Sequence, residues 1–208
     1  MILTGLAPDP RRPDYRVVEV DRGRFASLPI ADLADLGLQI GAEIAPLVYE
    51  RLQELADLEG AQLAALRALN RRAHAERDLR RRLLQKQHPA RAVETALARL
   101  RDAGLLDDTR FAFDYAAAKA RRGRGPARLI RDLQAQGVDR RIAEDAVRRS
   151  LAIEGVDPAA TVRALAEKRA QQLAGLPPMV KKRRLVAFLV RRGFGGAEVR
   201  QAVEALGA

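Results

Sequence analysis

The sequence predicts an all-α fold: three tandem three-helix repeats in an elongated array, with a small N-terminal region that contains a β-hairpin. Three observations point there. Alanine, leucine and arginine dominate a chain that is 48% hydrophobic but only 4% aromatic, and such residues lose little freedom in a helix. A Leu-x-x-x-Leu pair recurs at Leu79/Leu83, Leu129/Leu133 and Leu185/Leu189, each time placing two leucines one turn apart on one helix face. Aspartate, proline and glycine stand between these segments where helices start and stop.

The first 14 residues carry Pro8, Pro10 and Pro13 with little apolar content, and read as a loose tail. YRVVEV, DRGR and FASLPI follow. The β-branched run Val17, Val18, Val20 around a turn at Asp21–Gly23 predicts a β-hairpin, which must pack on something because two strands alone are marginal. Residues 30–36 suit a short helix, Gly41 a break, and Pro46 the first turn of a helix to about Leu58. A separate helix then begins at residue 61, with Leu63, Leu66 and Leu69/Asn70 as its stripe up to Ala73.

From there the pattern is helical throughout. One helix spans about 76–87 with Leu79, Leu83 and Leu84 inward, and another about 89–102 with Val93, Ala96, Leu97 and Leu100 as its stripe, closed by Gly104. This unit repeats. LRRRLLQKQHPARAVETAL from Leu79 aligns with LIRDLQAQGVDRRIAEDAV from Leu129 and LVAFLVRRGFGGAEVRQAV from Leu185. Four residues after the second leucine stands Gln87, Gly137 or Gly193, followed at once by His88, Val138 or Phe194. Val93, Ile142 and Val199 then open the last stripe, with one residue fewer in the second copy's turn. Asp107/Asp108 and Asp157–Pro158 start the first helices of copies two and three, and Pro126 the middle helix of copy two. Chance likeness between Leu/Ala/Arg-rich helices would not align spacing, turn and caps together. The expected divisions are 1–60, 61–106, 107–154 and 155–208. Stacked units of this size share buried surface and present a long face rather than one pocket.

Several chemistries are excluded. Without cysteine there are no disulfides, thiolate metal sites or thiol nucleophiles; with no signal-like start in MILTGLAPDPRRPDYR, a cytoplasmic protein is expected. No run reaches about 18 apolar residues, so no membrane span is expected. His74 and His88 are too few for a zinc site; His88 reads as a packing residue and His74 as a solvated helix-end residue. Asp107–Asp108 reads as an N-cap rather than a metal site. RRGRGP at 121–126 lacks the Walker spacing. No catalytic set and no cofactor are expected.

What remains is charge. Residues 1–60 hold 6 Lys+Arg against 11 Asp+Glu, while residues 61–208 hold 32 against 16. Such a body attracts a polyanion. The cations cluster at one element of each repeat: Arg77, Arg80, Arg81 and Arg82 in the first; Arg121, Arg122, Arg124, Arg128 and Arg131 in the second; Lys181, Lys182, Arg183 and Arg184 with Arg191 and Arg192 in the third. A charge run is usually a solvated face, and its recurrence at matching positions is what favours binding. Contacts of this kind go to phosphates and carry little sequence information. All of these except Arg82 are the candidate site residues.

The segment from Glu76 to Ala146 resembles the RecX family of recombinase regulators. ERDLRRRLLQK, LARLRDAGLLDDTRFAFDYAAAKARRGRGPARLIRDLQAQGV and DRRIAEDAV carry the likeness. Its most specific part joins Gly104-Leu-Leu-Asp-Asp, Phe111-Ala and Tyr115 to Arg-Arg-Gly-Arg-Gly-Pro. KKRRLVAFLVRRGFGGAEVRQAV looks like the family's last repeat, so the likeness covers about 61–206. Residues 1–60 match only loosely, and His88 departs from the apolar residue usual there. The resemblance implies a regulator that binds the groove of the RecA–single-stranded DNA filament and inhibits filament growth, ATP hydrolysis and strand exchange. It also implies contact with single-stranded DNA, with duplex DNA as a nonspecific alternative. A monomer is expected.

A second class stays open: a DNA-binding protein or transcription repressor with a helix-turn-helix hidden in a three-helix unit. Its candidate recognition helices, 89–102, 139–152 and 196–206, offer mainly charge through Arg91, Arg99, Arg140, Arg141 and Arg148.

Overall fold

The computed structural model describes residues 1–206. The chain divides into two units, Met1–Ala73 with Leu79–Leu105, and His74–Asp78 with the chain from Leu106 onward.

The N-terminal region holds three strands, not two. β1 (Leu3–Asp9), β2 (Arg12–Val20) and β3 (Gly23–Pro29) form an antiparallel sheet in that order. The predicted hairpin is β2–β3, and its turn falls on Asp21 and Arg22, both left-handed (φ 47° and 65°), as the twist of a two-residue hairpin requires. The expected loose tail is instead strand β1. Pro8 misled because proline removes a ladder donor, yet an edge strand tolerates it. Here β1 is the edge, with Pro8 opposite Arg16. Its end is held by the Asp9 carboxylate, which accepts from the Ser27 hydroxyl and from the Arg11 N–H at 2.8 Å.

The sheet buries Leu3, Val18 and Leu28 against Leu33, Leu52 and Leu55. Leu33 closes the short helix α1 (Ile30–Leu33), which a 3-10 turn at Ala34–Leu36 extends. Leu52 and Leu55 lie on α2, which runs unbroken from Pro46 to Arg71. Two helices parted near residue 60 were expected there. Gly60 costs a helix about 1 kcal/mol, and packing at both ends overrides it: α2 lies on β3 and on α4. Ala61 packs with Ala92 and Ala96, so small residues face the neighbour while Leu63, Leu66 and Leu69 are only half-buried. A salt bridge adds a tie, for Glu59 on α2 is buried and pairs with Arg12 of β2.

α3 spans Glu76–Gln85 and α4 Ala90–Asp102. Leu79, Leu83, Val93, Ala96, Leu97 and Leu100 are buried as their spacing predicts, whereas Leu84 is 42% exposed. Leucines at 83 and 84 are about 100° apart around the axis, and only one can face the core. His88 is half-buried and lies 3.8 Å from where a side chain on Gly60 would begin. His74 is not solvated: it is buried, with Nδ1 2.8 Å from the Asp78 carboxylate.

The second unit repeats one design. α5 (Asp108–Ala120), α6 (Pro126–Ala135) and α7 (Arg140–Ile153) enclose Phe111, Leu129, Leu133, Val138 and Val147. α8 (Pro158–Gln172), α9 (Pro178–Arg192) and α10 (Gly196–Glu204) enclose Val162, Leu185, Leu189, Phe194 and Val203. Asp107, Asp139 and Asp157 cap α5, α7 and α8 by accepting from the first-turn N–H groups. Asp108, beside the first cap, accepts from the Glu76 N–H at 2.8 Å. Among the described residues no helix is long and apolar enough to cross a membrane.

Candidate functional site

The fourteen predicted cations fall into three situations. Arg77, Arg80 and Arg81 on α3 are exposed, and Arg80 reaches Glu94 at 2.6 Å. Lys181, Lys182, Arg183 and Arg184 occupy the first turns of α9 with no ion pair among the described residues; Lys181 is half-buried and the others exposed. Of the remaining seven, five gather where α5, α6 and α9 approach one another.

That approach is built from backbone. The Gly125 N–H donates to the Arg192 carbonyl at 2.7 Å, and the Ala127 N–H to the Gly193 carbonyl at 3.1 Å. The start of α6 is thereby bonded to the end of α9. Gly193 caps α9 in the left-handed region (φ 92°), where glycine alone is at ease.

Five predicted residues meet at this joint. Arg122, Arg124, Arg128, Arg191 and Arg192, with Lys119 from the last turn of α5, line a cleft of about 470 Å³. Three of the six are held in place. Asp132, one turn beyond Arg128, binds the Arg128 guanidinium at 2.8 Å and also pairs with Arg124. Arg192 lies over the Phe188 ring at 5.0 Å and donates to the carbonyls of Arg122 and Gly123 at 3.4 Å. Arg122 and Arg191 are exposed and make no ion pair among the described residues. Tyr115 lies behind this lining and supports it: its hydroxyl donates to Asp132 at 3.4 Å and accepts from Arg124 at 3.3 Å. Burial, and then the Asp132 carboxylate, push its ionisation above the ordinary tyrosine range, so at neutral pH it stays a donor.

Arg121 and Arg131 are not part of the cleft. Arg121 turns to Glu154 at 2.6 Å, and Arg131 donates to the Ala127 carbonyl of its own helix at 3.3 Å. Lys181 lies ten residues before Arg191 on α9, or about 15 Å along the axis. Lys119 was not among the predicted residues. It stands alone in FAFDYAAAKA, and only its place in the last turn before RRGRGP hinted at it.

The lining is thus six cations with one acid behind them. Crowded like charges repel, and an anion between them removes that repulsion and completes charge-assisted hydrogen bonds. By contrast, three of the five arginines on the candidate recognition helices are spoken for: Arg91 pairs with Glu54 at 2.8 Å, Arg140 with Glu144 at 2.7 Å and Arg148 with Asp145 at 2.5 Å.

Models of three domains match in order: the first three-helix domain of RecX over residues 61–100, the second over 107–147 and the third over 157–203. The regulatory protein RecX of Halorhodospira halophila is 36% identical over 148 residues, 71% of this chain and 88% of that protein. That of Thermobifida fusca is 35% identical over 156 residues, 71% of this chain and 80% of that protein. A crystal structure of regulatory protein RecX superposes with a TM-score of 0.77 at 18% identity, over 98% of both chains. That of RecX from Lactobacillus salivarius gives 0.63 at 21% identity, over 73% of this chain and 97% of the other. At those identities the structures speak for the fold; the sequence matches go further, and by them the chain belongs to the RecX family of regulatory proteins.

Proposed function

We propose that this chain is a non-enzymatic regulator of the RecA recombinase, one that binds in the groove of the RecA–single-stranded DNA filament and suppresses filament growth, ATP hydrolysis and strand exchange. Family membership supports the regulatory role. The observation that carries the rest is the six-cation cleft, with its single neighbouring acid, joining helices of successive repeats. A filament groove offers DNA phosphate beside protein surface, and a positively charged face is drawn to it over long range.

In this reading residues 61–106, 107–154 and 155–208 act as three modules behind the acidic region 1–60, and the protein works as a cytoplasmic monomer. Arg77, Arg80 and Arg81, the second-module arginines, and Lys181–Arg184 with Arg191 and Arg192 contribute contacts to RecA or DNA. A sequence-specific DNA reader is the weaker alternative, because three of the five arginines of its candidate recognition helices, Arg91, Arg140 and Arg148, are paired within the chain.

Co-sedimentation tests the proposal. The chain is expected to pellet with RecA filaments assembled on single-stranded DNA, and replacing Lys181–Arg184 with alanine is expected to weaken this while helicity is kept. A folded chain that stays in the supernatant at every ratio refutes the reading. A footprint on one duplex sequence that survives moderate salt favours the repressor instead.

A further inference from the structure

We infer that the cleft between α5, α6 and α9 seats one backbone phosphate of single-stranded DNA and reads no base. The cleft's assignment rests on the reading of the chain as a filament regulator and narrows it, since the cations there could otherwise face carboxylates of the recombinase.

Three features point to phosphate. The first is how donors converge. Lys119, Arg122, Arg124, Arg128, Arg191 and Arg192 reach one space from three helices and a loop. A carboxylate is planar and is satisfied by one bidentate guanidinium, whereas a phosphodiester spreads its charge over oxygens that several donors approach from different sides.

The second is preorganisation. Asp132 holds Arg124 and Arg128, and Phe188 with two backbone carbonyls holds Arg192. The bonds from Gly125 and Ala127 to the end of α9 fix the distance between the two sides. An anion arriving there meets groups already ordered, so less side-chain freedom is lost on binding. Arg122 and Arg191, exposed and without ion pairs among the described residues, are left to close over it.

The third is what the lining lacks. Among the described residues the cleft is lined by cations alone, with no Asn, Gln, Ser or Thr, so no adenine or cytosine edge finds the acceptor it needs there, and a guanine edge, the one base partner of arginine, competes with the full charge of the phosphate. No aromatic residue is among those lining the cleft, and Phe188 carries Arg192 at 5.0 Å and Arg169 at 5.5 Å from its ring, so the lining offers no platform for base stacking. The first N–H groups of α6 are also bonded, so recognition falls to side-chain cations. The outcome is contact with the backbone regardless of sequence, which a regulator of filaments on any DNA requires.

The test is fluorescence anisotropy of a short labelled oligodeoxythymidylate with the full chain and no recombinase, repeated across a salt series. Arg122→Ala/Arg191→Ala is expected to weaken binding about tenfold and to reduce the salt slope by about 0.7, the share of one phosphate on a single strand. Arg122→Gln/Arg191→Gln, which keeps side-chain bulk, is expected to show the same loss with an unchanged circular dichroism spectrum. Lys168→Ala/Arg200→Ala removes equal charge from exposed positions of the same unit outside the cleft and is expected to change binding by less than about twofold. The inference is overturned if the chain does not bind the oligonucleotide, if the cleft variants bind like the parent, or if the control variant falls equally. The same variants in a RecA ATPase assay separate the two claims. Inhibition of RecA with cleft-independent DNA binding removes the phosphate site and leaves the regulator. Cleft-dependent DNA binding with no effect on RecA does the reverse.

Discussion

Gly125 and Gly193 lie so close that a Cβ on Gly125 would sit 2.5 Å from the carbonyl carbon and oxygen of Gly193. The reciprocal holds one residue pair over, where a Cβ on Gly193 would collide with the backbone nitrogen and Cβ of Arg128. Gly137 stands at the same repeat position as Gly193 and is left-handed too (φ 94°), and a Cβ there would strike the Arg77 Cβ. Gln87 is the first repeat's counterpart. It keeps the left-handed turn (φ 63°) but is exposed and carries a full side chain. The glycines thus answer to close approach as much as to backbone conformation.

Gly193→Ala therefore combines a left-handed backbone with a collision against α6. The expected loss of stability is about 2–4 kcal/mol, read as a lower urea midpoint, and oligonucleotide binding at the cleft is expected to fall with it. Gln87→Gly is expected to be neutral or slightly stabilising. Equal tolerance of alanine at 193 and of the glycine at 87 would show that the joint is not a close contact.

Glu59 is buried on α2 and pairs with Arg12, whose guanidinium also covers the Tyr15 ring at 3.9 Å. Truncation leaves a half-buried cation with only the more distant Asp9 carboxylate, 3.6 Å away, as its counter-charge. Glu59→Ala is expected to cost about 2 kcal/mol, seen in urea unfolding, while binding to the oligonucleotide stays as in the parent chain.

Asp9 gives this region an acid-sensitive tie. The Ser27 hydroxyl, and then the Arg11 N–H, hold its carboxyl below the ordinary carboxylate range. A depressed folded value stabilises above the unfolded value of about 3.9 and is lost as pH falls through the folded one. Stability measured by urea against pH is expected to fall more steeply below about pH 4 in the parent than in Asp9→Asn. Identical slopes would mean the carboxylate contributes nothing to folding.

Much of the fold was legible because it is local. Leu79/Leu83, Leu129/Leu133 and Leu185/Leu189 are all buried where their spacing puts them, and Asp107, Asp157, Pro126 and Gly193 mark helix ends as their chemistry dictates. What failed depended on distant partners. Pro8 argued against a strand until β2 supplied an edge for it. The helix from Pro46 was expected to stop near Leu58, but β3 and α4 grip α2 on either side and it runs on to Arg71. His74 read as solvated because Asp78, its partner, lies one turn ahead in a run of charged residues. For the candidate site, the arginine runs were visible but their convergence was not. It follows from two glycines 68 positions apart, and it includes Lys119 while leaving out Arg121 and Arg131.

This chain is proposed to restrain RecA through its cationic face. The most direct test is the rate of ATP hydrolysis by the cognate RecA on single-stranded DNA, measured as the full chain is titrated in. The rate is expected to fall at or below one chain per recombinase, and Arg122→Ala/Arg191→Ala is expected to blunt the fall. An unchanged rate at every ratio, with the chain demonstrably folded, would contradict the account.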